Sequence, residues 1–522
     1  MARFLRAAPS AAGSHSVSLL TEPITGGVID GARISGERHV RADVCIVGSG
    51  AGGAPVARAL AEAGQRVVVL EDGQAFAQHE LNARPRDMTA LLYRDAGQSA
   101  TAGTPTIMLP TGRAVGGTTL VNSGTCFRAP AAVQEQWAIE LGLEALAPGT
   151  LDDVYARVEE TIGVARVTEE LAGANALIAK RGAEKLGWSG HFLNRNARGC
   201  VGSGVCAFGC PTGAKQHAGE AYMNAAHAAG ATTYTCSRAR RVLFDDDNKT
   251  ARGILATTRG GGRLTVDAPI IVLAAGTLHT PGLLAASGIA NPWLGRNLSI
   301  HPATAVWGLM DEVVDMARGV PQSYGIDEFA GEGIMLEGIA GPPDYLAMAV
   351  PFSGPAHREL MLKYRNIAQF GMMIRDTTRG HIPTGKLARR AGRPIVRYDL
   401  NAHDTATVAR GIERLAQLLF AAGARRVILP VGAVPDLRDG DLTPLQRHTV
   451  TARELKLMAF HPLGTARMAA RASDGVLDAD GAPHGTTNLY VCDGSAVPTA
   501  LGVNPQLTIM ALATRLADRL LA

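Results

Sequence analysis

No stretch of the 522-residue chain approaches the ~20 consecutive apolar residues that a membrane-spanning helix needs. Within the first 40 residues, Arg3 and Arg6 are not followed by an apolar core of ~7–15 residues and a small-residue cleavage site, so no secretory signal is visible. The expected compartment is the cytoplasm, with the periplasm open only by co-export with a partner subunit. A formal charge of +4 is too diffuse over this length to argue for nucleic acid or an anionic membrane surface. No block of basic residues interleaved with aromatics is present, and no internal repeat or low-complexity segment stands out. What remains is ordinary globular composition, 46% hydrophobic and 19% charged, in a chain long enough for a large two-part enzyme or two to three domains.

The most informative stretch runs from Asp43 to Gly73. Val44–Val47 has the form of a short strand buried on both faces, and it stops at Gly48. Gly48, Gly50 and Gly53 then fall in G-x-G-x-x-G order, Ala51 to Ala63 are small and apolar, and Val67–Leu70 leads into Glu71, 18 residues after the last glycine. Strand, glycine turn, helix and acid each have a physical task in a dinucleotide-binding unit. The glycines let backbone approach a pyrophosphate, the helix start offers unpaired N–H groups, and the acid accepts from ribose hydroxyls.

Residues 1–39 read as a polar lead-in, and the chain is irregular from Glu71 to about residue 105. Leu109 to Gly124 is a second glycine-rich loop, containing Gly112, Arg113, Gly116, Gly117, Thr118, Thr119 and Asn122; its accessible N–H donors suit phosphate or the edge of a flat ring. Helices are expected at 151–162, 171–185 and 218–229, and strands through 232–275. Ala268 to Gly276 reads as another buried strand ending at glycine and is expected to rejoin the first sheet. Residues 300–455 change texture, with alternating stretches at 303–310, 367–374 and 395–400 and a helix from about Asp404 to Ala422. From residue 456 the first texture returns, with Phe460-His461-Pro462, Asp493-Gly494, and Asn504-Pro505 opening a terminal helix. The fold class is therefore α/β plus α+β. A discontinuous Rossmann-like domain (40–130, 197–300, 456–522) would carry a second, antiparallel-sheet substrate domain (131–196, 301–455).

Seven cysteines make an odd count, and three fall within eleven residues: Cys200, Cys206 and Cys210, with Pro211 after the last. The pattern lacks the paired spacing and fourth ligand of a zinc site. Its C-x₃-C-P ending resembles a ferredoxin run, whose thiolates hold iron–sulfur clusters. From the residues alone, a cluster, a cysteine-lined structural loop and a disulfide all stay open.

The dinucleotide fingerprint, the Gly112-to-Thr119 block, Ala275-Gly276-Thr-Leu-His-Thr-Pro281, His461-Pro462 and Asn504-Pro505 together resemble the glucose–methanol–choline (GMC) oxidoreductases over about residues 40–522, near the long-chain alcohol oxidase and bacterial sugar or alcohol dehydrogenase branches. The resemblance implies an FAD enzyme that takes hydride from an alcohol carbon. It would place Gly48, Gly50 and Gly53 at the pyrophosphate and Glu71 at the adenosine ribose. Arg113, Gly117, Thr118 and Asn122 would follow along the pyrophosphate and flavin. Val242 would lie near adenine, Asp493 and Gly494 at the ribityl chain, and Asn504 and Pro505 at the flavin edge. His461 would be the general base, a role worth ~10²–10⁴ in rate, and Asn504 would hydrogen-bond the substrate oxygen; His301 would be structural. Some relatives attach FAD through a histidine in the first glycine block; Thr118, Thr119 and Asn122 stand there, so dissociable FAD is expected. The cysteine segment is similar to one that binds a three-iron cluster in the sugar dehydrogenases. Such a cluster would pass electrons to an external acceptor such as a cytochrome. The alternatives are an oxygen-using oxidase without a cluster, or a lyase or decarboxylase on the same scaffold.

Overall fold

The computed structural model describes residues 21–22, 26–386 and 393–522. Its centre is a six-stranded sheet in which every pairing is parallel. The order is Gly27–Asp30, Thr232–Thr235, Val67–Leu70, Val44–Val47, Ile270–Leu273, Leu489–Val491. Parallel strands need covered faces, and the four-residue runs VCIV and VVVL are buried throughout. The helix Gly53–Glu62 and the terminal helix Gln506–Leu521 pack together on this sheet. The strand Ile270–Leu273 does rejoin the first sheet, next to Val44–Val47.

Residues 26–39 of the lead-in are more structured than expected, and residues 1–20 and 23–25 lie outside the described residues. Gly27–Asp30 forms the edge of the parallel sheet, and Glu37–Arg41 pairs in parallel with Arg263–Asp267 in a separate five-stranded sheet. Backbone pairing, not apolar content, recruits these polar residues, so a hydrophobic pattern could not reveal them. The nominally irregular stretch after Glu71 likewise holds a helix, Pro85–Leu92, that opens on the proline at its first turn.

Residues 300–455 do form an antiparallel sheet with covering helices. Among the described residues the sheet has nine strands, six of them from this stretch and centred on Ala303–Leu309, Ile367–Ile374 and Ile334–Gly338; Ile107–Met108, Gly190–Phe192 and Leu457–Met458 join it from outside. The helix Ala402–Ala421 covers one face. The opposite face is read by the period of two: Ala303, Ala305 and Trp307 pair with Met373, Gly371 and Gln369 and all line a cavity between the two sheets. The two large apolar cores share residues 131–196 between them. Val133, Trp137, Leu151, Tyr155 and Ile162 belong to the first core, and Tyr155 Oη lies 3.1 Å from Thr508 Oγ1 of the terminal helix. Val167, Ala176 and Ile178 belong to the second. Within residues 131–196 the packing passes from the first core to the second between residues 162 and 167.

Gly53 shows how tightly the first βαβ unit is packed. A Cβ there would sit 1.9 Å from Gly48 O. Gly53→Ala is expected to cost about 1–3 kcal/mol through overpacking. Its melting temperature, measured beside the parent protein, should fall; an unchanged value would mean the turn has slack that this geometry denies.

Candidate active site

A cavity of about 1550 Å³ lies between the parallel and antiparallel sheets, larger than the ~300–1,000 Å³ of ordinary ligand pockets. At one end sit the two glycine turns. Gly48 adopts φ +99°, open to glycine alone at low cost, and a Cβ there would strike Ala274 O. Gly50 and Gly117 face each other with no side chain between them, so backbone from both turns borders the cavity. Glu71 is buried and accepts from Ser49 N (3.2 Å), Ser49 Oγ (2.6 Å) and Gly73 N (2.7 Å). Ser49 Oγ also accepts from Gly116 N, so one serine joins the two turns. Burial raises the Glu71 pKa against these donors, and a carboxylate with ~four lone-pair sites retains acceptor capacity toward the cavity.

Beside this end, Asp72 accepts from Arg94 (2.8 Å) and Arg113 (3.4 Å). Burial works against the Asp72 charge, but Arg94, Arg113 and Arg238 together hold its carboxyl below the usual range. Three guanidinium groups around one carboxylate leave a positive excess that suits a pyrophosphate. His279 lines the same wall, and its Nε2 has no partner. Burial first, then Arg94 and Arg238, push its pKa down to about 3, so the ring is neutral.

The loop from Leu120 to Gly124 is held by two buried cations. Lys215 Nζ donates to the carbonyls of Leu120, Asn122 and Cys206, each at 2.8 Å, and burial lowers its pKa to about 8. Arg195 bonds Ser123 O and donates to Cys206 Sγ at 3.2 Å. This arrangement lends the iron–sulfur expectation no support. The three thiols go separate ways: Cys200 accepts from Gly202 N, Cys206 faces the cavity beside Arg195, and Cys210 is buried against Lys215 N. All seven cysteines are free, and among the described residues no three metal-ligating side chains converge. From this segment, the Cys206 carbonyl accepts from Lys215 and the Cys206 thiol from Arg195.

At the other end of the cavity, His461 meets Asn504 at the start of the terminal helix. The Asn504 amide lies 3.4 Å from His461 Nε2, and His301 Nδ1 lies 3.3 Å from His461 Nδ1. Burial lowers His461 to a pKa of about 4 and His301 well below its usual value, so both rings are neutral at pH 7. Hydrogen-bond direction then assigns the protons. His301 Nε2 accepts from the backbone N–H groups of Leu501 (2.9 Å) and Gly502 (3.1 Å), so its single proton sits on Nδ1. That proton points at His461 Nδ1, which must accept, leaving the His461 proton on Nε2. Asn504 Oδ1 has no other partner, and the amide turned by half a rotation supplies the acceptor that Nε2–H needs.

Most residues singled out in the sequence meet at this cavity: Gly48, Gly50, Glu71, Gly117, Thr118, Asn122, His461, Asp493, Gly494, Asn504 and Pro505 all line it. Asp493 accepts from Gly276 N, Thr280 Oγ1 and Ser495 N, tying two crossover turns together. Asn122 bonds Gln506 of the terminal helix. Three do not reach the wall. Gly53 packs under it, Arg113 turns its guanidinium onto Asp72, and Val242 is buried elsewhere with its N–H on Ser287 Oγ. Arg238, Ala239 and Arg240, earlier in that strand, line the cavity. Sequence reasoning missed His279, Arg94, Arg238 and Glu337. Only Glu337 left a trace, as a lone acid in the apolar strand Ile334–Gly338.

A glycine-lined cavity opening onto a histidine–asparagine pair suits an oxidoreductase that binds a dinucleotide. The sequence profile of the GMC oxidoreductases matches residues 89–303 for its N-terminal part and 376–513 for its C-terminal part. The chain is 41% identical over 486 residues to an uncharacterised GMC-type oxidoreductase of Mycobacterium tuberculosis, covering 92% of this chain and 76% of that one. It is 29% identical to a long-chain-alcohol oxidase of Arabidopsis thaliana, covering 96% and 70%. In fold it is similar to pyridoxine 4-oxidase from Mesorbium loti, with a TM-score of 0.69 at 21% identity over 91% of this chain and 98% of that one. Formate oxidase gives 0.70 at 15% identity over 93% and 98%. The protein belongs to the GMC oxidoreductases, a family of FAD-binding flavoproteins.

The residues fit that cofactor. The opposed Gly50 and Gly117 leave backbone room, the arginine cluster suits a pyrophosphate, and the unpartnered Asn122 Oδ1 and His279 Nε2 await polar groups. Because Thr118, Thr119 and Asn122 stand where a linking histidine would be, acid precipitation should release the flavin into the supernatant. Yellow, flavin-bearing precipitate would contradict a dissociable cofactor.

Proposed function

We propose that the protein oxidises the CH–OH group of a lipophilic alcohol, with FAD held between the glycine turns and the terminal helix. The observation that carries this reading is the His461–Asn504 pair facing the same cavity as the dinucleotide cradle. Bound FAD supplies the hydride acceptor. Gly48, Gly50 and Gly117 would carry the pyrophosphate, Glu71 the adenosine end, and Asp493 and Asn122 the middle. The start of the helix Gln506–Leu521 would favour negative charge on the reduced ring, an effect of up to ~2 kcal/mol.

His461 holds the alcohol oxygen. The proton assignments support a donor at Nε2 in place of the general base expected from the sequence. An N–H aimed at an oxygen that gains negative charge is worth ~10²–10³ in rate. Met108, Trp307, Ile339, Tyr345, Met373 and Phe460 line the substrate side, and this apolar wall supports a hydrocarbon chain. The name of the plant relative, a long-chain-alcohol oxidase, points the same way.

Primary alcohols of rising chain length, assayed with an electron-accepting dye without oxygen and again in air, test the reading. Each buried methylene is expected to raise kcat/KM about fourfold, from ~0.8 kcal/mol of transfer free energy. Comparing dye with air decides between an external acceptor and dioxygen. His461→Ala should keep the flavin spectrum and lose about 10²-fold or more in kcat. A flat response to chain length, or no alcohol turnover at all, would sink the proposal.

A further inference from the structure

We propose that the buried cations Lys215 and Arg195 raise the reduction potential of the bound flavin, acting through the peptide groups of the loop that separates them from the cavity. This inference rests on the FAD part of the reading above and on none of its substrate assignment. In a planar trans peptide the C=O and the N–H point opposite ways. The carbonyl of Asn122 is held by Lys215 Nζ at 2.8 Å, so the N–H of the same peptide, that of Ser123, points away from Lys215. The carbonyl of Ser123 is held by Arg195, so the N–H of Gly124 points away from Arg195. Neither N–H has a partner among the described residues. Ser123 and Gly124 both line the cavity, whereas Lys215 and Arg195 stand behind them, off its wall. Two peptide dipoles in a row therefore turn their positive ends to the cavity, a concavity suited to negative charge.

The neighbouring residue shows which end of the cavity this is. Asn122 bonds Gln506, the first residue of the terminal helix, whose start also favours negative charge. Asn504 and His461 meet just ahead of that helix, so the loop lies at the reacting end of the cavity and not at the adenosine end.

Both charges are strong at this distance from water. Lys215 is 2% exposed and Arg195 is 3% exposed, so solvent and salt screen them little. Burial lowers the Lys215 pKa only to about 8, which leaves it protonated at pH 7. The partners of the two are carbonyls and one thiol, and Arg195 Nε is buried with no partner at all. A neutral donor could hold the same carbonyls, and burying a cation without a carboxylate is costly. What the charge adds is a field. It reaches the flavin through the two aligned peptides, and it favours the reduced, more negative ring over the oxidised one.

Redox titration of the holoenzyme against reference dyes, without substrate or oxygen, reads this directly. Lys215→Met removes one charge and keeps the stem, and Arg195→Gln removes the other while keeping an amide donor for Ser123 O. In each variant the equilibrium constant for flavin reduction should fall about tenfold or more, ~30 mV for a two-electron couple. Arg195→Lys, which keeps the charge, should stay within about threefold of the parent, half that shift. If Lys215→Met does not fold, the two Arg195 variants decide. Arg195→Gln with bound flavin and an unchanged potential would overturn the proposal. So would an equal fall in Arg195→Gln and Arg195→Lys, or weaker flavin binding at constant potential, since either would make the cations clamps of shape alone. Parent protein that binds no FAD would instead overturn the reading on which the proposal rests.

Discussion

Two backbone N–H groups, from Leu501 and Gly502, decide the protonation of the whole reacting centre. Both donate to one nitrogen of His301, and a neutral imidazole has only one proton to place. From there the direction of each bond follows, through His461 to Asn504. His301 itself is held at a cost. Its φ of +50° lies in the left-handed region, a conformation worth ~1–3 kcal/mol of strain for such a residue. Asp376 opposes that strain by accepting from Ile300 N, His301 N and Tyr398 Oη, all in a fully buried setting. Burial raises its pKa to about 6 even with three donors in place. An imidazole expected to be structural is therefore structural in a demanding sense: its backbone is pinned on one side so that its ring can transmit a direction on the other.

The flavin-side loop depends on a different device. Lys215 spends all three of its protons on carbonyls, two of them in the loop and one at Cys206. Arg195 reaches the same loop at Ser123. Among the described residues neither cation has a carboxylate partner within ion-pair distance, so backbone dipoles and a thiol carry the compensation. The cysteine segment supplies part of that compensation through the Cys206 carbonyl and thiol.

Where local rules suffice, the chain could be read directly. Val44–Val47, the three glycines and Val67–Leu70 are contiguous, and their spacing alone describes a strand, a turn and a strand. The second sheet was legible as alternation, and the terminal helix as Asn504-Pro505 followed by an apolar stripe. Contacts between distant segments were not. Val242 missed the cavity because register along an eight-residue strand, with shifts in its pairing, cannot be counted from the sequence. Three cysteines within eleven residues looked convergent until the intervening glycines, at positive φ, turned the loop back on itself. Glu337 was visible only as an oddity.

The order of strands in the parallel sheet bears on how the protein is made. Leu489–Val491 pairs with Ile270–Leu273, which pairs with Val44–Val47, so the sheet closes only with the last part of the chain. The cofactor's cradle begins at Gly48 and ends at Gly494 and Asn504. Contacts of such sequence separation form late, because loop-closure entropy must be met before they give any return. A nascent chain short of the helix Gln506–Leu521 can hold the glycine turn but cannot enclose the cavity. Until residues 489–506 are in place the apolar faces of Ile270–Leu273 and its neighbours stand uncovered, the state in which a large domain most needs a chaperone.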